Sequence, residues 1–256
     1  MKIRFIGTGS GKTSLQRFHS SIFFSSDKYN LLVDTGDGIS KALLWHNINL
    51  HLINGILITH LHPDHFSGLG ALIVQMKLIN RTNDLDIYMH QSLAEVVKRY
   101  IYNSYLFGER MDFEINYKVF DIEETEKVED NFTFMAKQNS HLDIYKKYDY
   151  LNKLSFSCIS LLFNIQDLKV FYTGDIGTKE DLYLFKDHKI DIMISEISHI
   201  DFSDLIQAYK VKSAEKLYLT HISDEDEPML EKFYLSMSDE EKRKIISAYD
   251  GLTIDL

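Results

Sequence analysis

The chain has 256 residues, of which 45% are hydrophobic, and a formal charge of −10. That composition supports one large core or two small ones, and the acidic balance argues against broad binding to nucleic-acid backbone. No apolar run approaches the roughly 20 residues that span a bilayer, Met1–Gly7 turns polar too quickly for a signal peptide, and the single cysteine, Cys158, excludes an internal disulfide. The expectation is a cytoplasmic protein with one domain over residues 1–256 and Cys158 as a small buried hydrophobe.

Lys2 to Ile6 alternates as a first strand. Gly7-Thr8-Gly9-Ser10-Gly11-Lys12-Thr13 imitates a phosphate-binding loop, but that pattern needs glycine where Ile6 stands, and no periodic helix follows. Arg17 and His19 read as turn residues, with the rim of a pocket as the alternative. Residues 21–25 and 29–34 form a hairpin. The run Leu31-Leu32-Val33-Asp34 ends in the small residues Thr35-Gly36-Asp37-Gly38 and leads into a helix over 39–46. Asp37 is expected to cap that helix; His46 and His51 read as structural.

Next comes the densest stretch of chemistry. Gly55-Ile56-Leu57-Ile58 reads as a buried strand, and Pro63 fits the first turn of a helix running to about Leu78. Between and across them lie His60, His62, Asp64 and His65. Neutral imidazole is the commonest ligand for zinc-like ions. His60 and His62, two apart at a strand end, can address one ion; Asp64 and His65 can address a second.

Residues 85–89 read as a strand, 91–103 as a helix and 113–120 as a strand. The acidic run 121–130 reads as a solvated connection. A strand over 131–138 ends in Asn139-Ser140-His141. The tyrosine-rich segment 142–154 reads either as a lid or dimer contact, or as a plain surface loop. A hairpin over 155–165 and 169–173 turns at Gln166-Asp167 and delivers Gly174-Asp175. A helix is expected over 178–187, then a strand from Asp191 to Glu196 and His199. A helix over 203–212, a strand over 216–221 ending in His221, a helix pair over 228–248 and a short last strand complete the chain.

His60-x-His62-x-Asp64-His65 resembles the signature of the metallo-β-lactamase fold superfamily, and the later motifs resemble its ribonuclease Z-like and cyclic nucleotide phosphodiesterase branch. The resemblance implies a four-layer αββα sandwich with two divalent metal ions. It assigns His60, His62 and His141 to one ion, and Asp64, His65 and His221 to the other, with Asp175 bridging. Zinc suits these donors, and manganese or iron is compatible. The resemblance makes Asp34 an orienting residue and matches Glu196 to the family's glutamate. The family's proton-donating histidine is missing from Ser195-Glu196-Ile197-Ser198, and His199 is the candidate substitute. Asp64, Glu196 and His199 are thus the catalytic candidates.

The implied activity is hydrolysis of a phosphodiester bond by metal-activated hydroxide. The short stretch between His141 and Asp175 has no room for the arm with which ribonuclease Z grips transfer-RNA precursors. A small anionic nucleotide, a cyclic nucleotide first of all, is therefore the expected substrate, acted on by a homodimer. The alternatives are a ribonuclease Z-like endonuclease, a thioester, lactone or β-lactam hydrolase, and a non-catalytic binding protein on the same fold.

Overall fold

The computed structural model describes Met1 to Leu256. Two compact units divide the chain, one made of residues 1–8, 15–121 and 250–256, the other of 9–14 and 122–249.

The first unit is a seven-stranded sheet. Its strands are β1 (Lys2–Gly7), β2 (Ser21–Ser25), β3 (Asn30–Val33), β4 (Gly55–Leu57), β5 (Leu85–His90), β6 (Ile115–Phe120) and β14 (Thr253–Asp255). Their order is β14-β1-β2-β3-β4-β5-β6. The pairs from β14 to β3 are antiparallel, and those from β3 to β6 are parallel. Register places Phe23 beside Leu32, Leu32 beside Ile56 and Ile56 beside Ile87, so these four share one face. On that face they meet Leu43 of α1 (Ile39–Trp45), Leu72 and Met76 of α3 (Leu69–Leu78), and Val97 and Ile101 of α4 (Ala94–Asn103).

Two expectations change here. The helix foreseen from Pro63 to Leu78 is broken into α2 (Pro63–Phe66) and α3. At the break, the Gly68 amide donates to the Thr35 carbonyl at 2.8 Å, and a Cβ on Gly68 would sit 2.2 Å from the Gly36 carbonyl oxygen. Asp37 does not cap α1; Gly38, at φ 76°, takes that place without a side-chain bond.

The second unit mirrors this layout. Its strands are β7 (Thr125–Glu129), β8 (Phe132–Gln138), β9 (Ile159–Ile165), β10 (Leu168–Tyr172), β11 (Ile192–Glu196), β12 (Lys216–Thr220) and β13 (Ile245–Ser247). The order is β13-β12-β11-β10-β9-β8-β7. Phe171, Met193 and Leu217 pack with Leu205 and Ala208 of α5 (Phe202–Lys212) and Leu230 of α6 (Glu227–Ser236); α7 (Asp239–Lys244) follows. The acidic run 121–130 is not a bare connection, because it holds β7. This is an edge strand: only one side needs partners, so its charged side chains are tolerated and deter further pairing. The helix foreseen over 178–187 shrinks to a 3₁₀ turn, Lys179–Tyr183, and the helix pair foreseen to residue 248 gives way to β13 at Ile245.

The two sheets make the fold mixed α/β, as foreseen. No helix is long and apolar enough to cross a membrane.

Candidate metal centre

The seven donors foreseen in the sequence divide between the units: His60, His62, Asp64 and His65 in the first, His141, Asp175 and His221 in the second.

In the first unit β4 ends at Leu57 and the chain runs extended through Ile58-Thr59-His60-Leu61-His62 into α2, with Pro63 at its first turn. The rings gather tightly. The centroid of His60 lies 4.8 Å from that of His62 and 4.3 Å from that of His65. His65 Nε2 stands 3.4 Å from Asp64 Oδ2. Two donors on a tetrahedral ion with bonds of about 2.0–2.1 Å are separated by roughly 3.3 Å, so this spacing suits a shared ion.

Asp34 holds the group in place. It is fully buried at the end of β3. The Thr59 amide donates to its Oδ1 at 2.9 Å, the Thr59 hydroxyl donates to Oδ2 at 2.8 Å, and His65 Nδ1 donates to Oδ2 at 2.7 Å. A proton fixed on Nδ1 directs the Nε2 lone pair toward an ion. Burial pushes the Asp34 carboxyl above its ordinary range, against the pull of His65 and Thr59. The turn carrying Asp34 can lie this close to α2 because it has glycine: a Cβ on Gly36 would sit 1.8 Å from the Asp64 carbonyl oxygen.

In the second unit β9 is antiparallel to both β8 and β10, and β11 and β12 run parallel to β10. The carboxyl ends of β8, β10, β11 and β12 therefore open on one edge of the sheet. His141 follows β8, Asp175 follows β10, Glu196 ends β11 and His221 follows β12. Asp175 Oδ2 lies 3.3 Å from His221 Nε2 and 3.7 Å from His141 Nε2. One carboxylate oxygen thus faces two imidazole nitrogens at ligand-to-ligand spacing, and all three residues are buried. The set contains only imidazole and carboxylate, with no thiolate, which fits a divalent ion of the zinc or manganese kind.

Glu196 is 1% exposed. Its oxygens accept from the amides of Ile176, Ser198 and His199 and from His199 Nδ1 at 2.9 Å. Glu196, His199 and His221 also stand close enough to be grouped as donors, but with three amides on it the glutamate serves as an anchor. Its partner His199 has a side chain that is 37% exposed. The His199 ring packs against those of His141 and His221, with centroids at 4.7 and 5.2 Å.

Several supporting residues had no place in the sequence reading. Asp226 Oδ2 accepts from the Ser223 amide and hydroxyl and from Ser198 Oγ, which also donates to the His221 carbonyl at 2.6 Å. Asp181 accepts from the segments that carry His141 and Asp175. The spacings Thr178-x-x-Asp181 and Ser223-x-x-Asp226 are capping-box-like patterns and were the available signals. The phosphate-loop imitation at Gly7 is followed by no helix, as foreseen. Arg17 donates to Thr8 Oγ1 at 2.6 Å, and His46 Nε2 meets the Ile6 carbonyl at 3.1 Å.

Comparison with known proteins agrees with this architecture. Ribonuclease Z from Methanocaldococcus jannaschii is 31% identical over 145 residues, covering 55% of this chain and 44% of that protein, so the match spans less than half of that relative's length. Anti-Pycsar protein Apyc1 from Bacillus phage BSP38 is 25% identical over 244 residues, covering 90% of this chain and 92% of the phage protein. The crystal structure of the short form of human tRNase Z, 18% identical, superposes with a TM-score of 0.73 over 100% of this chain and 99% of its own. That likeness identifies the metallo-β-lactamase fold. The family model described as anti-Pycsar protein Apyc1 matches residues 1–237, and the chain belongs to that family.

Proposed function

We propose that this protein is a metal-dependent phosphodiesterase that hydrolyses a small nucleotide, a cyclic nucleotide first of all. The observation that carries the reading is the donor set. The first unit gathers His60, His62, Asp64 and His65 and the second His141, Asp175 and His221, donors right in kind and number for two ions. Membership of the Apyc1 family over residues 1–237 supports it. Zinc is the ion we favour, because the five imidazoles of the set outnumber its two carboxylates. Bound there, the ions would lower the pKa of water toward about 7 and stabilise charge on the phosphoryl oxygens.

The chain's own residues do the rest. Asp64 orients the attacking water and takes its proton. The water oxygen bonds to phosphorus as the ring P–O ester bond breaks. His199, held at Nδ1 by Glu196, gives a proton from Nε2 to the departing ribose oxygen. The product is a nucleoside monophosphate.

Two strands, β9 and β10, take up much of the stretch from His141 to Asp175, leaving no long arm for a transfer-RNA precursor. The identity shared with ribonuclease Z keeps that precursor as the second reading. The segment 143–154 exposes Ile144, Tyr148, Tyr150, Leu151 and Leu154. Such a patch favours a homodimer contact, and sedimentation of Tyr150→Ser with Leu151→Ser would lower the mass if that is so. A cytoplasmic site of action fits the one buried thiol, Cys158.

The decisive experiment is turnover by metal-reconstituted protein of 3′,5′-cyclic purine and pyrimidine nucleotides, cyclic dinucleotides and a transfer-RNA precursor, beside Asp175→Ala. Cyclic nucleotide turnover that the variant lacks is expected. Cleavage of the precursor alone would replace the reading with the ribonuclease one. Inactivity on the whole panel with metal bound would sink both.

A further inference from the structure

Asp181 lies outside every donor motif, yet it is 6% exposed and its single oxygen Oδ2 collects four bonds. The Ser140 amide donates at 3.1 Å and the Ser140 hydroxyl at 2.6 Å. The Gly177 and Thr178 amides donate at 3.0 and 3.2 Å. Ser140 immediately precedes His141, and Gly177 follows Asp175 by two residues. One carboxylate oxygen therefore ties together two turns from different strands, one carrying His141 and the other Asp175. A second feature points the same way. A Cβ on Gly177 would lie 2.5 Å from the Ser140 carbonyl oxygen, so the turns meet at a distance only glycine permits. The 3₁₀ turn Lys179–Tyr183 fixes the carboxylate itself, through the reciprocal Thr178–Asp181 capping bonds.

A cap of this kind needs only one or two of these bonds. The bonds to Ser140 do nothing for the 3₁₀ turn; they reach across to the end of β8. We infer that Asp181 is a positioning residue for the metal centre. With Gly177 it forms a clasp that sets the separation of His141 Nε2 and Asp175 Oδ2, now 3.7 Å. This inference rests on the metal-centre reading above. Asp181 touches neither ion nor substrate; it acts by holding two ligands at the spacing an ion demands, and the loss of an outer partner of this kind costs about 10–100-fold in metal affinity.

The test uses the full chain, stripped and reloaded with cobalt(II), whose visible absorption reports ligand geometry. Asp181→Ala removes all four bonds. Ser140→Ala removes the hydroxyl's bonds to Asp181 and to Thr178 Oγ1 and keeps the backbone ones, so it stands in should the first variant fail to fold. Affinity by chelator competition is expected to fall about 10–100-fold in Asp181→Ala and by less in Ser140→Ala. The cobalt spectrum should shift in the same direction in both, while thermal unfolding shows each metal-free variant folded. Wild-type spectra and affinities in the folded variants would overturn the clasp and leave the metal centre standing. A wild-type chain that binds no cobalt would overturn both.

Discussion

Replacing Asp34 by asparagine separates two roles that one carboxylate now performs. Asparagine can keep its carbonyl oxygen on the Thr59 amide and hydroxyl, which reach Asp34 Oδ1 at 2.9 and 3.0 Å. It must then turn its NH2 toward His65 Nδ1, which sits 2.7 Å from Oδ2. A donor facing Nδ1 forces that nitrogen to accept, so the imidazole proton moves to Nε2 and blocks the lone pair an ion needs. The metal-free Asp34→Asn protein should lose only about 1–2 kcal/mol, one charge-assisted bond. Ion affinity should fall about 10–100-fold, or roughly 1.4–2.8 kcal/mol. Asp34→Ala behaves differently: it strands two Thr59 donors in a fully buried place, at about 1–3 kcal/mol each, so the metal-free protein should lose about 2–6 kcal/mol. Denaturant unfolding of stripped protein gives the first quantity and chelator competition the second. Unchanged ion affinity in Asp34→Asn would show that tautomer control plays no part.

Lys212 offers a pH-dependent check elsewhere. Its Nζ is buried without a hydrogen-bond partner, 4.9 Å from the centre of the Phe171 ring, and burial lowers it from 10.5 to about 8. Between those values the unfolded chain binds more protons than the folded one. The cost of the buried charge is therefore full below about pH 8 and disappears as pH rises to 10.5. Lys212→Met should stabilise by about 1 kcal/mol at pH 7, the low end for a stranded group that is only partly covered, and the gain should shrink steadily toward pH 10.5 in denaturant titrations. Arg81 is fully buried and donates to the carbonyls of Leu50, Ile53, Asn83 and Asp84. Arg81→Met should cost at least about 3 kcal/mol, measured by thermal unfolding, with the number of bound ions unchanged in the folded fraction. Gly68→Ala places a methyl 2.2 Å from the Gly36 oxygen. A loss of about 3 kcal/mol and weaker ion binding are expected together, because the same contact seats α2; ion binding at wild-type strength would show that α2 is held by other means.

Much of this protein was legible along the chain because its chemistry sits where local pattern is strongest. The donors follow strands with an apolar face, and strand ends are marked by the change to histidine, aspartate and glycine; the stretch from Ile56 to His65 needs no distant partner to be read. Edge strands were harder. Thr125–Glu129 has three charged residues in five, and only its pairing with β8 makes it a strand. The break in the helix at Gly68 depends on Gly36, far away in sequence. The same holds for the supports of the site. Aspartates 181 and 226 look like surface residues until folding brings other segments' amides onto them. The sequence by itself determined which histidines and aspartates are candidate donors, because ligand chemistry is a property of side-chain type and short spacing. Only the tertiary structure decided which carboxylates hold those donors still, because a hydrogen bond between turns of different strands leaves no periodic trace in either.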